Sequence, residues 1–153
     1  MRRRDREYVL ERTQGVTRPL EEVFQFFSDP RNLARLTPPW LAFRALDSGD
    51  LTMREGLRIH YRIRLLGVPQ RWTSVITVWD PPHRFVDEQL RGPYRRWHHL
   101  HEFTRSNDGT QIRDRVTYQL PFGPLGRLAH VLFVRRQLEA IFTYRRHRVE
   151  ELF

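Results

Sequence analysis

Residues 94–120 read YRRWHHLHEFTRSNDGTQIRDRVTYQL, two alternating segments joined by Asn107-Asp108-Gly109. In the first segment Trp97, His99, His101 and Phe103 share one parity, while Arg96, His98, Leu100 and Glu102 share the other. In the second, Ile112, Asp114, Val116, Tyr118 and Leu120 stand against Arg113, Arg115, Thr117 and Gln119. A period of two is the mark of a strand with one buried face, and Asp-Gly between such runs marks a hairpin. Taking Asp108-Gly109 as the two-residue turn places Phe103 opposite Asp114, His101 opposite Val116 and His99 opposite Tyr118.

The same period extends upstream. Leu57, Ile59, Tyr61, Ile63 and Leu65 alternate with Arg58, His60, Arg62 and Arg64, and Gly67-Val68-Pro69 turns the chain into a strand over 71–79, broken by Asp80-Pro81-Pro82. A further strand covers 84–91, with Asp87 and Gln89 on the parity of Phe85. Its loop through Gly92-Pro93 sets Asp87 opposite either His98 or His99, according to loop length. From Leu41 onward the pattern is extended for about eighty residues.

Outside this run, a strand over 8–17 precedes a helix over 19–29, in which Thr17 or Arg18 caps and Pro19 occupies the first turn. A second brief helix spans 30–36. After Pro121-Phe122-Gly123-Pro124, two apolar stripes lie on roughly opposite helix faces. One holds Leu125, Leu128, Ala129, Leu132 and Phe133, and the other Val134, Leu138, Ile141, Phe142, Val149 and Leu152. This slip predicts a short helix over 123–133, a break or kink, then a long terminal helix.

The 153 residues fit a single domain, 1–153, with enough length for a core and a cavity. All 27 basic side chains are Arg, against 18 acidic ones, for a formal charge of +9. Without Lys or Cys, Schiff bases, thiol nucleophiles, disulfides and cysteine metal sites are excluded. The start MRRRDREYVL lacks the apolar stretch of a signal peptide, and no apolar run approaches a membrane span, so a cytoplasmic protein is expected.

The element order resembles the helix-grip fold, an α+β architecture in which a curved antiparallel sheet wraps a long C-terminal helix. The stretches VFQFFSDPRNLARLTPPWLAF, FVDEQLRGPYRRWHHLHEF, GTQIRDRVTYQLPFGPLGRLA and IFTYRR are similar to bacterial ligand-binding SRPBCC-domain proteins of the START-like superfamily, within its polyketide cyclase/dehydrase-like group. The resemblance covers almost the whole chain. It implies a hollow between sheet and helix that holds a lipid, an aromatic compound or a polyketide-like molecule, and it brings no established catalytic constellation.

Parity supplies the candidates for that hollow. Asp87, Gln89, His99, His101 and Asp114 point inward, walled by Tyr61, Trp72, Trp97, Phe103 and Tyr118, with Phe142 from the helix. Three readings stand open for this group: a self-satisfied buried network, the polar end of a ligand pocket, or an acid/base or metal site. As an enzyme, the chain would be a cyclase or dehydratase in which His99 or His101, oriented by Asp87 or Asp114, moves a proton. His-x-His on a strand plus a carboxylate can close on one metal, but the spacing alone is a weak signal and helix-grip relatives do not generally need one; no metal and no cofactor are expected.

Other residues have plainer expectations. Trp40 either covers the cavity mouth or anchors the short helices, Arg145 pairs with an inward Asp, and His60, His83, His130 and His147 are solvated. Arg95 and Arg96 belong to a solvated hairpin end or grip an anion at the rim. Arg58, Arg62, Arg64, Arg113 and Arg115 take the outward parity and are spread around the sheet. A small hydrophobic ligand is therefore the expected partner, and charge-driven binding of nucleic acid or a membrane surface the third alternative.

Overall fold

The computed structural model describes residues 6–47, 49–65 and 67–153; the basic start at 1–5 lies outside them. Seven strands form one antiparallel sheet: β1 (Glu7–Val16), β2 (Arg44–Ala45), β3 (Arg58–Leu65), β4 (Val68–Asp80), β5 (Arg84–Arg91), β6 (Arg96–Ser106) and β7 (Gly109–Gln119). Their order across the sheet is β1-β7-β6-β5-β4-β3-β2. Helices α1 (Leu20–Phe27) and α2 (Leu33–Leu36) follow β1, and α3 (Gly123–Ala129) leads through a π-helical stretch, His130–Val134, into α4 (Arg135–Leu152). This is the helix-grip fold. The first strand closes the sheet against the last, with ten residues in register from Glu7 opposite Gln119 to Val16 opposite Thr110.

The alternation explains why the strands bury what they do. Ile112, Asp114, Val116 and Tyr118 are buried, and Arg115 between them is exposed. Register shifts between Thr73 and Ser74 and between Ile76 and Val78 interrupt the β4–β5 ladder. Such bulges sharpen local twist and help a long strand wrap around a helix.

The core has two parts. One gathers Leu20, Phe24, Phe85, Phe103 and Val149, and the other Ile63, Trp72, Val116, Tyr118, Leu138 and Phe142. Phe24 meets Phe103 and Phe85 edge-on, at 5.4 and 6.0 Å between ring centres, which locks α1 onto β5 and β6.

Several expectations need correction. The turn between β6 and β7 is Asn107-Asp108, because Gly109 pairs with Ser106 as a strand residue. The register therefore moves by two: His101 faces Asp114, His99 faces Val116 and Phe103 faces Ile112. A shift of two preserves which side chains point inward, so the inward set stands. Asp87 faces His99, as the longer loop requires. Pro19 occupies the cap of α1 with no side-chain cap, rather than its first turn. Strand β4 begins at Val68, so Val68-Pro69 belongs to the ladder, while between Leu41 and β3 the extended chain amounts to two residues of strand, Arg44–Ala45. The remaining described residues between Leu41 and β3 hold no strand.

The slip in the terminal helix is accommodated without a break. One π-helical turn adds a residue to the repeat and rotates the apolar stripe of α4 back onto the core. Leu138, Phe142 and Val149 are buried, whereas Leu125, Leu128, Leu132 and Phe133 of the first stripe are exposed. No helix among the described residues is long and apolar enough to cross a membrane.

Close packing at the β1–β7 end makes one glycine decisive. A Cβ on Gly109 would lie 2.0 Å from the Val16 carbonyl oxygen, whereas one on Gly15 meets nothing within 4 Å. Gly109→Ala is expected to lower the midpoint of thermal unfolding by roughly 5 °C or more, from overpacking of about 1–3 kcal/mol. Gly15→Ala leaves the midpoint unchanged or slightly raised; calorimetry on the two variants checks the contrast.

Candidate functional site

Strands β5, β6 and β7 bring four polar side chains to adjacent positions on the concave face. His99 Nε2 lies 2.8 Å from Asp114 Oδ1, and His101 Nε2 lies 2.5 Å from Asp87 Oδ2. The two imidazoles stack at 3.7 Å between ring centres. Each carboxylate also approaches the other ring: Asp87 Oδ2 is 3.7 Å from His99 Nδ1, and Asp114 Oδ1 is 3.5 Å from His101 Nδ1. Helix α4 adds Arg145, whose guanidinium stands 3.5 Å from Asp114 and over the Phe27 ring.

This cluster is a polar layer between the two halves of the core. Phe85 stacks on His101 at 4.1 Å from one side, and Phe142 meets His99 edge-on at 5.6 Å from the other. Burial raises the cost of every charge here, so each charge needs a partner. Burial alone pushes the Asp114 carboxyl up, but the adjacent Arg145 charge and the His99 hydrogen bond outweigh it and hold the group below the usual carboxylate range. Asp87 is also held low, its burial outweighed by the hydrogen bond from His101. Burial, reinforced by neighbouring His99, pushes His101 down to about 4, which leaves it neutral at pH 7.

In front of the layer is a cavity of about 190 Å3 between the sheet, α2 and α4. Asp87, His99, His101 and Arg145 line it, together with Tyr61, Trp72, Trp97 and Phe142. Burial pushes the Tyr61 hydroxyl well above its ordinary range, so it stays protonated. Trp72 donates its indole N–H to Ser74 Oγ at 3.0 Å.

Four of the inward residues do not line the cavity. Gln89 spends its amide on the Tyr94 backbone, accepting from its N–H at 3.0 Å and donating to its carbonyl at 2.6 Å. Phe103 packs among Phe24, Phe27 and Phe85. Asp114 lies behind the histidines, reaching the cavity only through them and Arg145. Tyr118 turns to His130, whose Nε2 is 2.7 Å from its hydroxyl. His130 is thus buried, not solvated; its ring stacks on Tyr8 at 3.6 Å because the π-helical turn rotates it onto β1.

Tyr94 and Leu41 line the cavity but escaped the sequence reading. Tyr94 precedes the regular part of β6, so parity says nothing of it, and Leu41 sits in a single helical turn, Pro39–Leu41. Trp40 leans edge-on against Tyr144 and stays more than half exposed. It anchors the short helical segment to α4 and is absent from the cavity wall. Arg96 pairs with Glu7, and Arg113 with Glu11 and Glu102, all on the outer face.

Solved structures share this fold. A protein of Chromobacterium violaceum superposes with a TM-score of 0.71 at 15% identity, covering 95% of this chain and 96% of its own. The Zhui aromatase/cyclase of a Streptomyces species gives 0.68 at 15% identity, with 97% of both chains covered. A protein of Thermus thermophilus gives 0.66 at 22% identity, covering 96% of this chain and 99% of its own. At these identities the likeness carries the fold. No curated protein matches the chain. The sequence model of the family described as polyketide cyclase / dehydrase and lipid transport matches residues 16–141.

The electrostatics of the layer yield a contrast. Asp114→Asn leaves the buried Arg145 charge without its partner and is expected to cost about 3 kcal/mol or more at pH 7 in urea unfolding. The stabilising effect of the low-lying Asp114 carboxyl is present above the unfolded-state value and lost as pH falls, so the deficit shrinks below about pH 4. Arg113→Ala, on the solvated face, is expected to cost at most about 1 kcal/mol.

Proposed function

The chain belongs to the polyketide cyclase / dehydrase and lipid transport family, and from that premise we propose that it binds a small amphipathic molecule, with a ring or short apolar body against the aromatic wall and a polar group on the histidine–aspartate layer. The observation that carries this reading is the convergence of Asp87, His99 and His101 from the sheet and Arg145 from α4 on a cavity whose other lining residues are mostly apolar and aromatic, with Ser28, Asp29, Asn32, Thr37 and Ser74 as the further polar ones. Ligand sites have this composition: apolar walls give affinity and a few fixed polar groups give orientation.

Volume limits the ligand. An apolar cavity of about 150 Å3 takes up benzene, so a hollow of about 190 Å3 fits a substituted single ring or two small fused rings in its enclosed part. Longer chains would extend past the half-buried segment around Pro30 and Leu33, which also lines it. The polar layer presents carboxylate and imidazole on one side and guanidinium on the other. It suits a hydroxyl or enol that can both donate and accept.

The histidine–aspartate pairs favour a second reading, a cyclase or dehydratase in which one of these imidazoles moves a proton. Each imidazole is held by a carboxylate, His101 by Asp87 at 2.5 Å and His99 by Asp114 at 2.8 Å, and such a contact fixes a ring for proton transfer. The Streptomyces aromatase/cyclase shares the fold, and the activity reading for this chain rests on its own His–Asp geometry.

A phenolic naphthalene such as 2-naphthol tests the binding reading. Its addition should quench the fluorescence of Trp72 and Trp97 saturably, and Ile141→Trp, which fills the cavity from α4, should weaken binding at least ~10-fold, or about 1.4 kcal/mol. Equal binding by the variant would place the probe elsewhere and overturn the reading. For the second reading, His101→Gln should abolish turnover of a cyclisable polyketide analogue while leaving the unfolding transition intact; turnover unchanged in that variant contradicts it.

A further inference from the structure

Hydrogen bonding within the layer leaves its donor atoms oddly placed. His101 Nδ1 is buried and, among the described residues, has no hydrogen-bond partner. With His99 Nε2 on Asp114 at 2.8 Å, the Nδ1 of the same ring stands 3.7 Å from Asp87 Oδ2, beyond hydrogen-bond reach. A network built only to satisfy itself would not leave one buried imidazole nitrogen orphaned and another short of its partner. Both defects disappear if a cation sits among Asp87, His99 and His101, each of which offers one ligand atom within 4.8 Å of the others.

We propose that Asp87, His99 and His101 form a binding site for a divalent first-row transition metal, with Asp114 orienting both imidazoles from behind. Donor atoms sharing one ion at about 2.1 Å stand roughly 3.0–3.4 Å apart. The observed separations of 2.5 Å for Asp87 to His101 and 3.7 Å for Asp87 to His99 bracket that span, and with all three donors within 4.8 Å the rings rotate about their side-chain bonds to close on the ion. On binding, the metal takes the place of the His101 Nε2 proton, and the ring carries its proton on Nδ1 instead. That N–H faces Asp114 Oδ1 at 3.5 Å, so the orphaned atom gains its partner. His99 already has the corresponding arrangement, with Nε2 on Asp114 and Nδ1 free to ligate. One carboxylate thus stands behind both ligating rings, the arrangement that fixes tautomer and ring angle in metal sites.

The donor set indicates the class of ion. Two imidazoles and one carboxylate suit Zn2+, Fe2+ or Co2+ and disfavour Ca2+ and Mg2+, which require mostly oxygen. Two carboxylates against the single charge of Arg145 leave the layer attractive to a cation. All three ligands line the cavity, so the remaining coordination positions face it, where an oxygen of a bound molecule would be the next ligand. The assignment stands apart from the ligand reading, since an ion can bind with the cavity empty of organic matter.

The test uses the full-length protein, stripped with chelator and titrated with Zn2+ and with Co2+. Calorimetry should show one tight site per chain, and His99→Gln or Asp87→Asn should weaken it at least ~100-fold, while Asp114→Asn weakens it roughly 10–100-fold. Exposed His83 and His147 are the control for surface binding: replacing both should leave the tight site unchanged. If a layer variant fails to fold, X-ray absorption of the Zn2+-loaded wild-type protein decides. It should show a nitrogen/oxygen shell near about 2.0–2.1 Å with outer-shell scattering from two imidazoles. No saturable binding by the stripped wild type, or binding that survives in His99→Gln and disappears with the surface histidines, overturns the proposal. Displacement of 2-naphthol is read separately, so loss of metal binding with intact naphthol binding contradicts this inference alone.

Discussion

Two carboxylates, Asp87 and Asp114, are carried into the middle of an apolar core, and the arrangement around them follows from the need to pair them. A lone buried carboxylate would cost several kcal/mol or take up a proton. Here the partners come from two elements: His99 and His101 from the neighbouring strand β6, and Arg145 from the terminal helix. The Arg145–Asp114 pair ties α4 to the sheet at mid-height.

The division of the core into two apolar clusters follows from the same layer. Phe85 and Phe142 cover the stacked imidazoles from opposite sides, so the polar groups are screened from water without being separated from the cavity. The arginine surplus that dominates the composition has little part in this. Arg96, Arg105 and Arg113 pair with Glu on the outer face, in exposed contacts worth little individually. Among the described arginines, Arg145 is the one whose charge enters the polar layer.

The strand pattern made most of this legible. Alternation in 94–120 assigned His99, His101 and Asp114 to one face, and that assignment survived an error of two residues in the turn because a shift of two keeps parity. Contacts between elements distant in sequence were less readable. Nothing local announces that β1 closes on β7, or that Tyr8, Tyr118 and His130 meet there, so His130 read as solvated. The slip between the two helical stripes was visible, but a π-helical turn and a break leave the same periodicity, and the exposed stripe with Leu125 and Phe133 looks like a buried one until its surroundings are known. Gln89 shows the limit of parity: it points inward, yet its amide is consumed by the Tyr94 backbone.

Whether the layer is working chemistry or self-contained packing is decided by what its imidazoles do when the cavity is filled. Long-range nitrogen–proton NMR of the wild-type histidines, recorded with and without 2-naphthol, reports protonation and hydrogen bonding at each ring nitrogen. The account requires the signals of His99 and His101 to shift on filling, with those of His83 and His147 unmoved. Quenching of the wall tryptophans with both inner histidines unchanged would contradict it, leaving a hydrophobic hollow whose polar layer takes no part in binding.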